Sequence, residues 1–314
     1  MIERVRVAVA GVGNNTSALV QGIALCRQTG SLVGVRRAVI DGLGVGDIDF
    51  VAAFATSEEK IGKDLTEAIF MAPNNFPRLD CDLPRADVSV TKGLVDATEV
   101  DRVAAALAGA EVLLYSAPSG RPETARAYAE AACKAGVAFV NTTSDAIARD
   151  PMWAERFQVA GLPLLGDDLA SQFGTSVVHN ALLRLLEERG LTLVSSYQVN
   201  VGGTEDFRNL VENSNTKKQS KLNALSATDK VELAPLGYLR HLKSQKVAHL
   251  NIEAQGWGET AISLDVKLKV HDPSGAAGVN IDLIRMAASA LRAGRGGCLP
   301  EASSLLKSPP GTAI

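Results

Sequence analysis

A lysine cluster and a glycine turn are the parts of this sequence best suited to chemistry. Lys217, Lys218 and Lys221 crowd one short stretch, and Lys217 and Lys221, four apart, share a face if that stretch is helical. Neighbouring ammonium groups depress one another's pKa, which lets one of them exchange a proton near neutrality. A solvated basic face is the plain alternative. Near the N-terminus, Gly11-Val12-Gly13 follows an apolar β-branched run and precedes a helical stretch. That is the context of a dinucleotide loop: glycines let the backbone approach a pyrophosphate, and the helix N-terminus offers it free N–H groups. Asn14, Asn15 and Thr16 stand where a third glycine would come. A bare GxG also serves an ordinary strand-to-helix turn. A β-branched residue at Gly13 is expected to block the pyrophosphate and strain the turn.

Other polar residues fall where predicted strands end. Ser116-Ala117-Pro118 and Asn141-Thr142 lie at strand C-termini, the cofactor edge of a parallel sheet. Asp167-Asp168 closes a strand before a helix, where one of them can cap that helix. Ser171-Gln172-Phe173-Gly174-Thr175 reads as a helix start with small hydroxylated residues, suited to a phosphate through Ser171, Gly174 and Thr175. The second strand should end in an acid for the ribose hydroxyls, but it ends Phe54-Ala55-Thr56-Ser57. No arginine stands there, so the local sequence gives no support to a 2′-phosphate.

The elements that must position these residues alternate in the first half. Strand patterns at Val5–Ala10, Asp49–Phe54, Glu111–Ser116, Val137–Asn141 and Leu162–Gly166 alternate with helical ones at Ser17–Gln28, Glu58–Ala68, Val100–Leu107, Arg121–Ala135 and Ser171–Arg189. Repeated β-α units build a doubly wound parallel sheet of the α/β class. The texture changes near residues 180–195. Thr192–Val199, Lys246–Gln255 and Thr260–Val270 alternate polar and apolar, as in an antiparallel sheet with a wetter face. A polar, lysine-rich stretch, Glu205–Lys246, lies between them, and Ala276–Ala293 returns to a helix pattern.

Composition narrows the function classes. With 46% hydrophobic and 21% charged residues, the chain is globular rather than disordered. Thirty-two basic residues against thirty-five acidic ones leave a net charge of −3, so no basic field recruits nucleic acid or an anionic membrane. No apolar run approaches the ~20 residues of a membrane span. The start, MIERVRVAVAGVG, has no signal-peptide pattern. Four scattered cysteines without a CxxC fit reduced thiols in the cytoplasm, and neither they nor the four histidines have metal-site spacing.

Several segments together resemble the myo-inositol-1-phosphate synthase family. They are GVGNNTSALVQGI, GVGDIDFVAAF, KIGKDLTEAIF, GDDLASQFGTSVVHNALLRLLEERG, SYQVNVGGTEDFRNL, TKKQSKLNA, QKVAHLNIEA, and DPSGAAGVNIDLIRMA with LLKSPP. They keep one order and span almost the whole chain. The resemblance implies a Rossmann-like NAD domain (residues 1–185 and 276–314), with a second α+β domain (186–275) inserted before the C-terminal helical segment. It implies a homotetramer, a sugar-phosphate substrate and an intramolecular aldol cyclisation of glucose 6-phosphate. It also places Lys217, Lys221, Lys246, Lys307, Asp206 and Asp272 at the reacting sugar and Asp168 near the nicotinamide. Lys218 is left on the surface.

Four positions depart from the family's pattern: Ala55 and Ser244 stand where it has aspartate, Ala170 where it has lysine, and Thr204 where it has asparagine. The lysine set survives, so the departures point to a changed substrate or geometry. Fructose 6-phosphate, whose C2 ketone would close a five-membered ring, is the alternative substrate. A non-catalytic NAD-binding regulator and a plain dehydrogenase are the other readings.

Overall fold

The computed structural model describes residues 4–212, 219, 221–225, 228–234 and 236–314. Short apolar runs become β1 (Val5–Ala10), β4 (Ile48–Ala55), β5 (Val90–Lys92), β6 (Val112–Tyr115), β7 (Ala138–Asn141) and β8 (Pro163–Leu165). A hairpin of β2 (Val39–Ile40) and β3 (Leu43–Gly44) lies between β1 and β4. With β14 (Gly297–Cys298), the six longer strands form a seven-stranded sheet in the order β14-β8-β7-β6-β1-β4-β5. Its neighbours are all parallel. The chain reverses direction across the sheet beside β1, whose neighbours are β4 and β6, and ligands of such sheets bind at that switch point.

Helices cover both faces, which is why these strands are apolar on both sides. One face packs against α1 (Asn14–Thr29) and α8 (Asp272–Arg292). The other packs against α3 (Val100–Ala106), α4 (Pro122–Ala135) and α5 (Pro151–Val159). Among the described residues no helix is long and apolar enough to cross a membrane.

The alternating segments pair as expected. β9 (Thr192–Gly202), β12 (Gln245–Gln255) and β13 (Ala261–His271) are antiparallel, with β10 (Val231–Leu233) and β11 (Gly237–Tyr238) parallel to β9. α6 (Thr175–Glu188) packs on β9 and β12. The register sets Lys246 opposite both Gly202 and Val270. One corner of this sheet therefore gathers the end of β9, the start of β12 and the end of β13. From it depart α7 (Glu205–Glu212) and α8.

Some boundaries differ from expectation. The helix expected over Glu58–Ala68 contracts to α2 (Leu65–Ala68), because the backbone of Gly62, Lys63 and Leu65 bonds to Val88 and Val90 instead. The last long helix starts four residues early, at Asp272, since Pro273 is tolerated in a first turn. α6 begins at Thr175 rather than Ser171, after a turn closed by Gly174 N–H to Ser171 O. β5, α5 and α7 were not legible as separate elements.

Candidate active site

The C-terminal ends of β1, β4 and β6 and the corner of the second sheet enclose a cavity of about 460 Å³. On its first side lies the glycine turn. Gly11 has φ +101°, and a Cβ there would stand 2.4 Å from the Ser116 carbonyl oxygen, so only glycine fits between β1 and β6. Gly13 is different: its backbone is extended, and a Cβ would meet nothing within 4 Å. The expectation of strain at Gly13 is thus corrected, for strain belongs to Gly11, and Gly13 leaves open space facing the cavity. Gly13 starts α1 with no side-chain cap, so the first-turn N–H groups remain available to an anion.

The neighbouring polar residues divide into liners and supports. Asn14, Asn15, Ser116, Ala117 and Thr142 line the cavity. Asn14 also clamps the segment after α2: its Oδ1 accepts from Asn75 N (2.8 Å) and Phe76 N (3.1 Å). Thr16 and Asn141 are buried and do not line the cavity. Thr16 Oγ1 donates to Gly11 O at 2.6 Å, and Asn141 Nδ2 donates to Asp145 O and Asp167 Oδ1, both at 2.7 Å. They hold the loops that carry the liners.

The second side carries the charges. Lys246, Asp272, Lys307, Asp168, Lys221 and Asp206 all line the cavity. Lys246 Nζ pairs with Asp272, and Lys307 Nζ donates to Asp168 Oδ1 at 2.9 Å. Lys307 is fixed further by its backbone N–H, which donates to Asp168 O at 2.6 Å. Lys217 lies outside the described residues, as does Lys218. Asp272 opens α8, where a carboxylate suits the positive end of a helix. α7 reaches this corner because Gly203 lets two backbones touch: a Cβ there would lie 2.4 Å from Lys243 N.

Between these sides α6 points its N-terminus at the cavity. Ser171, Gly174 and Thr175 line it, and α6, like α1, has no side-chain cap. Thr175 Oγ1 donates to Asn200 Oδ1 (2.7 Å), and Asn200 Nδ2 donates to Gln198 Oε1 (3.2 Å). The chain continues through Gln198 Nε2 and His179 Nδ1 (3.3 Å) to Ser196 Oγ, 2.7 Å from His179 Nε2. Burial pushes the His179 imidazole down to about 4, so it is neutral at pH 7. This buried network locks Thr175. Neither Asp167 nor Asp168 caps a helix, contrary to one expectation. Asp167 instead accepts from Ile147, Ala148 and Arg149 N–H groups and pairs with the Arg149 guanidinium at 3.1 Å.

Sequence reasoning missed Lys60, Asn74, Arg121, Asn200 and Asn209, which also line the cavity. Lys60 is buried, and its Nζ donates to Val12 O (2.7 Å) and Asn74 Oδ1 (2.8 Å). Burial lowers the Lys60 ammonium to about 8, partly opposed by Glu59. In the sequence it ends Glu58-Glu59-Lys60, which looks like solvated surface. Of the departures, Ala55 and Thr204 line the cavity, while Ala170 and Ser244 do not. Ser244 Oγ bonds His271 Nε2 at 2.7 Å and so supports the start of α8 rather than a substrate. Among the described residues no group of three or more His, Cys, Asp or Glu is placed to hold a metal ion.

Residues 174–273 match the family model described as myo-inositol-1-phosphate synthase. The chain is 38% identical to the inositol-3-phosphate synthase of Mycolicibacterium smegmatis, over 98% of this chain and 93% of that protein. It is 37% identical to the enzyme of that name from Corynebacterium glutamicum, with the same coverage. Among solved structures, Ari2 is 51% identical with a TM-score of 0.89, covering 99% of this chain and 94% of that one. Inositol-3-phosphate synthase from Caenorhabditis elegans shares the fold, with a TM-score of 0.75 at 16% identity over 99% of this chain and 82% of that one.

Proposed function

The chain belongs to the myo-inositol-1-phosphate synthase family, and from that premise we propose that it is an NAD-dependent isomerase. It closes glucose 6-phosphate into inositol phosphate by an internal aldol reaction. One observation carries this reading: two helix N-termini without side-chain caps, those of α1 and α6, open into the same cavity as Lys221, Lys246 and Lys307. That cavity offers one anion site for a dinucleotide, one for a sugar phosphate, and cations between them.

The space beside Gly13 and the uncapped start of α1 suit a pyrophosphate. Gly11, Asn14, Asn15, Ser116, Ala117 and Thr142 complete that wall, and Asp168, which lines the same cavity, would lie near the nicotinamide. NAD, when bound, would supply reversible hydride transfer at sugar C5, the C5 hydroxyl proton passing to a lysine of the set and back, so that no net oxidation occurs. The protein's own residues do the rest. Ser171, Gly174 and Thr175 hold the phosphate and thereby aim the sugar. Asp206 and Asp272 accept hydrogen bonds from its hydroxyls. A ketone at C5 acidifies C6, and a lysine of the set takes that proton while its neighbours stabilise the enolate. C6 then attacks the C1 aldehyde, and an ammonium gives its proton to the new alkoxide. The carboxylates of Asp272 and Asp168 keep Lys246 and Lys307 aimed through these charge changes.

A second reading has its own support. Ala55 and Thr204 line the cavity where the family's pattern has an aspartate and an asparagine, so the wall that meets the cofactor and the sugar is changed. With fructose 6-phosphate, attack of C6 on the C2 ketone would give a five-membered carbocycle. Carbon NMR of each labelled hexose phosphate, incubated with the protein and NAD, decides. Inositol phosphate from glucose 6-phosphate supports the first reading, a cyclopentane product from fructose 6-phosphate supports the second, and neither product overturns both.

The assembly we assign is a homotetramer. β13, eleven residues long, pairs with β12 on one side only and leaves its other edge open among the described residues, and Val194, Tyr197, Ile262 and Leu264 are exposed apolar side chains on its sheet. Light scattering on the purified protein tests this, with four chains expected and a monomer contradicting it.

A further inference from the structure

The corner of the cavity at the end of β4 is cationic where a ribose-binding acid would stand. Ala55 ends the strand with a methyl group. Lys60 and Arg121 both line the cavity, as do Thr56 and Ser57, and the Lys60 backbone N–H donates to Ser57 O at 3.0 Å. The sequence separates Arg121 from Ala55 by sixty-six residues, but the fold closes the gap in short steps. Gly93 N–H donates to Ala55 O (2.8 Å), Leu94 N–H donates to Tyr128 Oη (2.9 Å), and Thr124 Oγ1 donates to Val95 O (2.7 Å). Arg121 precedes Thr124 by one turn at the start of α4.

Neither cation has a carboxylate within hydrogen-bonding distance among the described residues. Lys60 Nζ spends two bonds on the neutral oxygens of Val12 and Asn74, which leaves one N–H. Arg121 is exposed, with its whole guanidinium fork available. Glu58 and Glu59 follow Ser57, but they are exposed and do not line the cavity. The carboxylates that do line it, Asp168, Glu205, Asp206 and Asp272, come from the lysine-bearing side or from α7.

We propose that this corner accepts a ribose 2′-phosphate, with Arg121 and Lys60 as its counter-ions and Thr56 and Ser57 as neutral donors, so that the chain binds NADP comparably to NAD. The proposal rests on the dinucleotide reading above and refines it. An acid at position 55 discriminates against a 2′-phosphate by like-charge repulsion and favours the ribose diol. Alanine removes the repulsion, and a guanidinium pairs a phosphate in a fork that lysine cannot match.

The test is equilibrium dialysis of the purified full-length protein against an equimolar mixture of NAD and NADP. The bound dinucleotides are then released by acid and quantified by mass spectrometry. The proposal expects the two to be retained within about tenfold of each other. Arg121→Ala should lower the NADP-to-NAD ratio roughly tenfold, as loss of a charge-assisted phosphate contact does. Ala55→Asp, which leaves both cations in place, should lower it by a similar factor. NADP retained at less than about a tenth of NAD by the wild-type protein overturns the proposal, as does an unchanged ratio in both variants. Retention of neither dinucleotide overturns the parent reading of the cavity as well, so the two failures are told apart.

Discussion

The two walls of the cavity handle charge in opposite ways. On the glycine-turn wall the protein offers fixed groups: backbone dipoles from the uncapped start of α1, amide side chains such as Asn14 to brace them, and a single buried ammonium, Lys60, tied to the neutral oxygens of Val12 and Asn74. On the lysine wall it offers full charges, and two of its ammonium groups face a carboxylate: Lys246 faces Asp272, and Lys307 faces Asp168. A wall that only binds an anion can be built from dipoles that never change. A wall that must meet charge appearing and vanishing on a substrate needs groups that carry, share or release protons.

This contrast predicts how each wall fails. The largest effect belongs to the lysine wall. Lys246→Ala and Lys307→Ala should each lower turnover by ~10²-fold or more, as removal of one oxyanion donor does. Retention of dinucleotide by the purified variants should stay near the wild-type level. Steady-state kinetics with mass spectrometry of the bound cofactor checks both halves of that statement.

Next comes the brace under α6. His179 is buried and neutral, with its pKa depressed from 6.5 to about 4. The unfolded chain therefore binds the extra proton first. The stability tied to the neutral ring is fully present above pH 6.5 and is lost as pH falls from there toward 4. The loss amounts to about 3 kcal/mol. Denaturant melts across that range should show the slope, and His179→Gln should flatten it.

Gly13→Val should weaken dinucleotide retention at least ~10-fold by filling the space at the start of α1, with little change in folding. Gly11→Val should instead damage the fold, because its Cβ would strike the Ser116 carbonyl. If the two variants behaved alike in thermal melts, the division of roles within the turn would be wrong. The smallest effect is expected at Lys134 on α4, which pairs with Asp101 on the exposed surface, where Lys134→Ala should leave turnover within about twofold.

Much of this was legible in the sequence, for identifiable reasons. Strand β1 and the turn after it are set by local patterning, so Gly11 and Gly13 could be placed without a structure. The segments Val5–Ala10, Lys246–Gln255 and Arg121–Ala135 carry periodicity strong enough to survive tertiary context. Lys246, Lys307, Asp168 and Asp272 were found through resemblance, since nothing local joins positions so far apart. Lys60 and Arg121 stayed hidden because their neighbours are charged or polar. Only the packing of Glu58–Leu65 against β5, and of α4 against the segment after β5, turns them toward the cavity. The helical reading of Glu58–Ala68 failed for the same reason: β5 captured backbone groups that local propensity had assigned to a helix.

In the proposed reaction, oxidation and reduction both occur within one turnover. This is tested most directly by following NADH absorbance while the sugar phosphate is consumed by purified protein supplied with NAD. Carbocyclic product should accumulate over many turnovers while NADH stays no higher than the enzyme concentration. A steady rise of NADH in step with substrate consumption would contradict it and make the protein a dehydrogenase.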